Sequence, residues 1–372
     1  MLDIFQPIIL SGGNGVRLWP LSNSNSPKQL IKINNDNNML EETILRIKLL
    51  SNKLNNKYRI RKPLIIINKN NRLIESENYN ICYEEYSNDT TIAIANGLKN
   101  IKENCILLIV PSDHYIEYID NFINDVYNSI NNYITENNII LFGIKPNSIE
   151  TKYGYIYSSN TSDSLSFIEK PNIDKAKELI KNGAYWNSGI FLTNSILLNK
   201  LMKNKSWIND YVENPKEGKC PSFDVSIIQD FKNIKLVKCN WNWNDLGTWD
   251  AFINIPYISK DLNNNCNLIN CNNTKVLNKD KYKNITIVNC SDILIVLNEG
   301  NLLILNKQIE TSSDIKEIIS YINKENKENN NYLKNCNNIE ILNKDKNIIV
   351  IGCSNILIFF DKQNLIIINK NI

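Results

Sequence analysis

Residues 7–20 read Pro-Ile-Ile-Leu-Ser-Gly-Gly-Asn-Gly-Val-Arg-Leu-Trp-Pro, a short apolar run that opens into a glycine-rich turn and an arginine. The run Pro7 to Leu10 predicts a strand. Gly12 and Gly13 after it would let the backbone approach a ligand and turn its N–H groups toward phosphate oxygens, while Arg17 adds an always-charged fork. The turn is not a Walker A loop, because no Gly-Lys-Ser/Thr follows, and it lacks the Gly-x-Gly-x-x-Gly spacing of a dinucleotide fingerprint. Read alone, a Gly-Gly-x-Gly after a strand is more often an ordinary tight turn. Lys28, in Ser26-Pro27-Lys28-Gln29, takes its weight from following this loop.

Outward from that strand, short β-branched runs alternate with helical patterns: Glu41 to Leu50, Pro63 to Ile67, Asp89 to Lys102, Ile106 to Val110, Ile119 to Ile134 and Ile139 to Ile144. Ile94, Leu98 and Ile101 recur at helical spacing, with Asp89 placed to cap their helix. The alternation predicts an α/β fold, a doubly wound, mostly parallel, Rossmann-like sheet with helices on both faces. From about Asn263, short strands separated by Asn, Asp and Gly take over, with a helix expected only over Ser313 to Ile322. There residues 276–308 are echoed by residues 341–371, with Cys290 aligned to Cys353. This predicts a smaller C-terminal β-rich repeat domain, stacked or two-layered. The expected division is 1–262 for the larger domain and 263–372 for the appendage, with Asn323 to Asn337 linking the two copies.

The chain has 372 residues, 42% hydrophobic and 22% charged, enough for a large core. Its 42 Lys+Arg against 39 Asp+Glu leave a net charge of +3, too little to hold a nucleic-acid backbone or an anionic membrane. No nucleic-acid or membrane partner is therefore expected. The one histidine, His114, excludes zinc sites built on several imidazoles. Nine cysteines without a Cys-x-x-Cys pair read as reduced thiols, and there is no basic leader or membrane-length apolar run, so a cytoplasmic protein is expected.

Pro111-Ser112-Asp113-His114 follows the apolar run Ile106 to Val110. In an open α/β sheet the carboxyl ends of strands face the ligand crevice, so Asp113 is either a metal ligand or a cap for the next helix. Asp245, in Trp243-Asn244-Asp245-Leu246-Gly247, is a second lone carboxylate. Two such groups suit Mg2+, which takes one or two protein carboxylates and completes its shell with water and phosphate. Between them stand Tyr153-Gly154-Tyr155, Glu169-Lys170-Pro171 and Trp186-Asn187-Ser188-Gly189. A sugar phosphate needs a carboxylate and an amide for its hydroxyls and a cation for its phosphate. Glu169, Asn187 and Lys170 are of those types.

Six segments, residues 7–30, 109–122, 141–156, 167–171, 185–192 and 241–252, resemble in order and spacing the mannose-1-phosphate guanylyltransferases, or GDP-mannose pyrophosphorylases, of the sugar nucleotidyltransferase superfamily. The resemblance covers roughly residues 5 to 260. It implies an Mg2+-dependent enzyme that turns GTP and mannose 1-phosphate into GDP-mannose and pyrophosphate. It further implies that Asp113 and Asp245 hold the metal, that Arg17 and Lys28 stabilise the departing pyrophosphate, and that Lys170 aims the sugar phosphate. Glu169, Asn187 and Gly154 would read the sugar; Gly12, Gly13, Ser112, Asp89 and Thr90 would line the nucleotide site. The C-terminal strands resemble the β appendage of the bacterial-type enzymes, and their apolar runs point to a packing role or to subunit contact in a homo-oligomer. Asn88-Asp89 stand where the family has Arg-Asn, and an aspartate there can still accept hydrogen bonds from guanine N1 and N2. The alternatives are a thymidylyl- or uridylyltransferase for another hexose 1-phosphate and a catalytically silent homologue that binds GDP-mannose. Loss of Arg17, Lys28 or Asp245 would mark the silent form, and all three are present.

Overall fold

The computed structural model describes residues 2–13, 15–23, 26–34, 36–71, 76–158, 165–280, 284–308, 314–315, 317–319, 331–343, 348–360 and 364–370. The chain divides into two compact units, each assembled from two stretches: residues 1–13 with 39–245, and residues 14–38 with 246–372. The boundary expected at 262 falls inside the second unit.

In the first unit the order is β1 (Ile4–Leu10), α1 (Met39–Leu54), β2 (Arg59–Ile60), β3 (Leu64–Asn68), β4 (Asn80–Glu84), α2 (Asp89–Lys99), β5 (Ile106–Pro111), β6 (Tyr115–Ile116), α3 (Ile119–Asn132), β7 (Ile139–Ile144), β8 (Tyr155–Ser158), β9 (Leu165–Ile168), α4 (Ile173–Lys181), β10 (Tyr185–Asn194), α5 (Ser195–Lys203), α6 (Ser206–Glu213), β11 (Ile234–Cys239) and β12 (Trp243–Asn244). The main sheet runs β11-β7-β10-β5-β1-β3-β4. Its pairs are parallel except those of β10, which is antiparallel to β5 and β7, and the small β8–β9 hairpin beside it. Ile8, Ile66, Leu107, Ile109 and Leu141 share a cluster with Ile94 and Leu98 of α2. Ile9, Ile65, Leu108 and Ile140, one residue away and hence on the opposite face, are as completely buried. Such two-sided burial requires helices on both faces: α2 lies over β1, β3 and β4 and packs on α5 and α6, while α3 packs on α1 and lies against β10 and β11. The strand order reverses around β1 and β5, which is where ligands bind in open α/β sheets.

One detail departs from expectation. Asn88 and not Asp89 is the N-cap of α2, and Asp89 is its first helical residue at φ 70°. The Asn88 side chain is committed elsewhere, donating to the Lys216 carbonyl at 2.8 Å and accepting from the Gly218 amide at 3.0 Å.

The second unit holds, among the described residues, α7 (Trp249–Ile253), α8 (Pro256–Lys260) and ten strands: β13 (Cys266–Ile269), β14 (Lys275–Asn278), β15 (Asn284–Val288), β16 (Ile293–Asn298), β17 (Asn301–Asn306), β18 (Asn331–Lys334), β19 (Asn337–Asn343), β20 (Ile348–Ile351), β21 (Ser354–Phe360) and β22 (Asn364–Asn369). One sheet is β14-β16-β17-β20-β18 and the other β13-β15-β22-β21-β19. The repeat read in the sequence maps β14 to β17 onto β19 to β22. Each sheet therefore combines three strands of one copy with one of the other, so the two copies interleave. Parallel pairing of β13 with β15, β14 with β16, β18 with β20 and β19 with β21 gives the two-layered, solenoid-like pattern. Cys290 and Cys353 lie buried together in its core. Of the expected linker Asn323 to Asn337, residues 323–330 lie outside the described residues, whereas 331–334 are strand β18, paired to β20. Residues 314, 315 and 317–319 are helical as expected, and the rest of the Ser313 to Ile322 segment lies outside the described residues.

Residues 14–38 group with these strands, the Asn298 amide donating to the Pro20 carbonyl at 3.0 Å. Gly15, at φ 56°, begins this stretch; a Cβ there would fall 2.1 Å from that of Lys28, so no other residue fits. Among the described residues, no helix is long and apolar enough to cross a membrane.

Candidate active site

Ser112, Asp113 and His114 leave the end of β5, held by a bond from the Ser112 amide to the Leu10 carbonyl at 2.9 Å. The next two residues form β6, which pairs antiparallel with β12 in the register Tyr115↔Asn244 and Ile116↔Trp243. Extending that register by one step sets Asp245 opposite His114, so Asp245 and Asp113 leave the same end of one short ladder. Tyr153 donates its hydroxyl to Asp245 Oδ1 at 2.9 Å, and burial together with that carboxylate drives its pKa far up, keeping it a donor. The Trp243 indole donates to His114 Nδ1 at 3.1 Å, which assigns the imidazole proton to Nε2, and Nε2 lies 4.0 Å from Asp113 Oδ1. The Tyr153 ring meets Trp186 and Trp243 edge-on at 5.1 Å each. From α1, Arg46 donates to the His114 carbonyl at 3.3 Å; burial lowers its pKa to about 10, opposed by Glu42.

Both aspartates are hard oxygen donors, and among the described residues there is no group of three or more His, Cys, Asp or Glu that could hold a metal. Two carboxylate donors are the kind of set that suits a hard cation taking one or two carboxylates and completing its shell with water and phosphate, as Mg2+ does.

The four residues expected at the sugar phosphate also come together. A Cβ on Gly154 would meet Glu169 Oε2 at 2.7 Å and the Phe167 ring at 2.5 Å, so glycine is required there. The Gly154 carbonyl accepts from the Asn187 backbone N–H at 2.8 Å, and the Lys170 backbone N–H donates to the Tyr153 carbonyl at 3.2 Å. Lys170, in the left-handed region at φ 46°, pairs through Nζ with Glu169 Oε1 at 2.5 Å while its side chain stays mostly exposed. A β-bulge in β10 between Asn187 and Phe191, with Gly189 at φ 69°, turns this end of the strand. Asp224 completes the cluster, accepting from Asn187 Nδ2 at 2.6 Å. Its pKa rises to about 7, chiefly by burial and then by repulsion from Glu169.

Of the residues expected at the nucleotide, the Gly12 carbonyl accepts from the Ser87 hydroxyl at 3.3 Å, and Gly13 is exposed. Ser112 is buried, Asp89 is exposed, and the Thr90 hydroxyl accepts from the Phe223 amide at 2.9 Å. Glu84, which ends β4, presses Oε2 to within 3.2 Å of where a Gly12 Cβ would stand. Burial raises its pKa to about 7, partly offset by a hydrogen bond from Asn96. Arg17 and Lys28 belong to the second unit, Arg17 exposed on the 3-10 turn Val16–Leu18 and Lys28 buried on the turn Lys28–Leu30.

Tyr153, Glu84 and Asp224 are functional candidates that reading the sequence left out. Tyr153 precedes a strand by two residues and Glu84 ends one, and those positions were the available signals. Asp224 had none, because its partners lie in other elements.

The nucleotidyl transferase family model matches residues 6–261. The chain is 27% identical to a mannose-1-phosphate guanylyltransferase of Escherichia coli, over 90% of this chain and 80% of that one. It is 28% identical to one of Salmonella montevideo, over 86% and 74% respectively. A crystal structure of a mannose-1-phosphate geranyltransferase from Thermus thermophilus superposes with a TM-score of 0.66 at 18% identity, covering 86% of this chain and 99% of that one, which bears on the fold alone. With the family model spanning the main sheet, Asp113 and Asp245, and the cluster of Gly154, Glu169, Lys170 and Asn187 alike, the chain belongs to the nucleotidyl transferase family.

Proposed function

We propose that this enzyme transfers GMP from GTP to mannose 1-phosphate, forming GDP-mannose and releasing pyrophosphate. The observation that carries this reading is the likeness to a mannose-1-phosphate guanylyltransferase over 90% of the chain. The phosphate oxygen of the sugar 1-phosphate is already a nucleophile, so no protein base is needed. An oxygen–phosphorus bond forms at the α-phosphate as the bond to the β-phosphate oxygen breaks, and catalysis rests on alignment and charge.

Asp113 and Asp245 would hold Mg2+, which when bound supplies positive charge to the α-phosphate and the incoming phosphate. Gly12, Gly13 and Ser112 offer backbone and hydroxyl contacts to the nucleotide. The Asp89 carboxylate accepts from guanine N1 and N2, and Thr90 stands beside it. Glu169 and Asn187 take the sugar hydroxyls, Gly154 leaves room for the ring, and Lys170 directs the sugar phosphate. Arg17 and Lys28 neutralise the departing pyrophosphate. The nine free thiols accord with a cytoplasmic site of action, and the β unit with assembly into a homo-oligomer.

Pyrophosphate release from GTP and mannose 1-phosphate, measured for wild type, Asp113→Ala and Asp245→Ala, tests this. Each substitution should lower the rate by on the order of 10³-fold, and EDTA should stop the wild type. Near wild-type turnover by Asp245→Ala would contradict the assignment.

A further inference from the structure

Asp224 opens a five-residue π-helical turn, Asp224–Ile228, a rare geometry that clusters at functional sites. The backbone N–H of Gly189 can only donate, so its 3.3 Å contact fixes Asn187 Oδ1 on that side and leaves Nδ2 facing Asp224 Oδ1 at 2.6 Å. Asn187 is 8% exposed, so this orientation is not traded for water. One Nδ2 hydrogen and one Oδ1 lone pair are thereby presented together, a donor and an acceptor side by side, which is what a pair of neighbouring sugar hydroxyls requires.

The stretch carrying Asp224 is itself pinned to the nucleotide end of the same unit. Asn88 holds the Lys216 carbonyl and the Gly218 amide, the Thr91 hydroxyl donates to the Pro221 carbonyl at 2.8 Å, and the Thr90 hydroxyl accepts from Phe223. The Thr91 and Ser226 hydroxyls meet at 2.6 Å. Asp224 is thus fixed by residues 88–91 and in turn fixes Asn187. Its retained proton affinity, from burial and from Glu169, is the signature of an acid kept where a carboxylate is costly.

We propose that Asp224 is a positioning residue of the sugar-phosphate site, holding the Asn187 amide in the single orientation that meets the sugar hydroxyls. This rests on the reading that Asn187 contacts the sugar.

Steady-state kinetics with GTP, mannose 1-phosphate and Mg2+ test it. Asp224→Ala should raise KM for mannose 1-phosphate about ten-fold or more while KM for GTP stays within about two-fold. Asp224→Asn, whose Oδ1 can still accept from Asn187, should recover most of the loss. An unchanged sugar KM, a parallel rise in both KM values, or no recovery by asparagine would overturn the proposal. Should Asp224→Ala alone fail to fold, the comparison of Asn187→Ala with Asn187→Ala/Asp224→Ala decides, because removing both partners leaves no unpaired amide. Asp224→Ala should then add less than about two-fold to the sugar KM, and a further full-sized rise would overturn the proposal. Asn187→Ala also separates the two readings: if it leaves the sugar KM unchanged, the assignment of Asn187 to the sugar fails, whatever Asp224 does.

Discussion

Glu84 ends β4 with its carboxylate against the bare α-carbon of Gly12, and burial raises its pKa from 4.5 to about 7. A raised carboxyl pKa means the folded state holds the proton more tightly. The contribution to stability is fully present below about pH 4.5 and is lost as pH rises through about 7. Over that window wild type should lose on the order of 3 kcal/mol from this group, and Glu84→Gln should be spared the loss. Thermal melts of both proteins check this: the advantage of the glutamine variant should grow from pH 4.5 to pH 8, and a constant difference would contradict it. At this scale the sequence was legible where chemistry and local position coincide. Asp113 stands directly after an apolar strand, and Gly154 shows in its tyrosine bracket. Asn88 was read as a change at the nucleobase, yet its amide holds residues 216 and 218, distant in sequence and brought close only by folding.

The elements that matter most for the site are its smallest. The main strands were legible as β-branched runs, because burial on both faces leaves no polar residue in Ile106 to Val110 or Ile139 to Phe142. β6 and β12, two residues each, carry no periodicity, and their pairing is what sets Asp113 and Asp245 at one ladder end. The grouping of residues 14–38 with the C-terminal strands was equally hidden, since a loop shows no preference for its neighbours until they fold. It has a consequence for truncation. Removing residues 263–372 strips residues 14–38, and with them Arg17 and Lys28, of packing such as the Asn298 bond to Pro20. The truncated protein should lose at least about ten-fold in pyrophosphate release along with solubility. A soluble truncation with wild-type turnover would show that the loop holds itself.

Taken whole, the molecule joins an α/β unit of the nucleotidyl transferase family to a β unit in which two sequence copies complete each other's sheets. Because each sheet borrows a strand from the other copy, neither copy can bury its apolar face alone, and the β unit forms as one body. The α/β unit holds Asp113 and Asp245 at one ladder end, and it brings Gly154, Glu169, Lys170 and Asn187 together. The most direct measurement is pyrophosphate release by the full chain with each of GTP, ATP, UTP and dTTP against mannose 1-phosphate, glucose 1-phosphate and N-acetylglucosamine 1-phosphate. The account predicts the highest kcat/KM for GTP with mannose 1-phosphate and formation of GDP-mannose. Preference for UTP or dTTP with another hexose 1-phosphate, or no turnover with any pair, would contradict it.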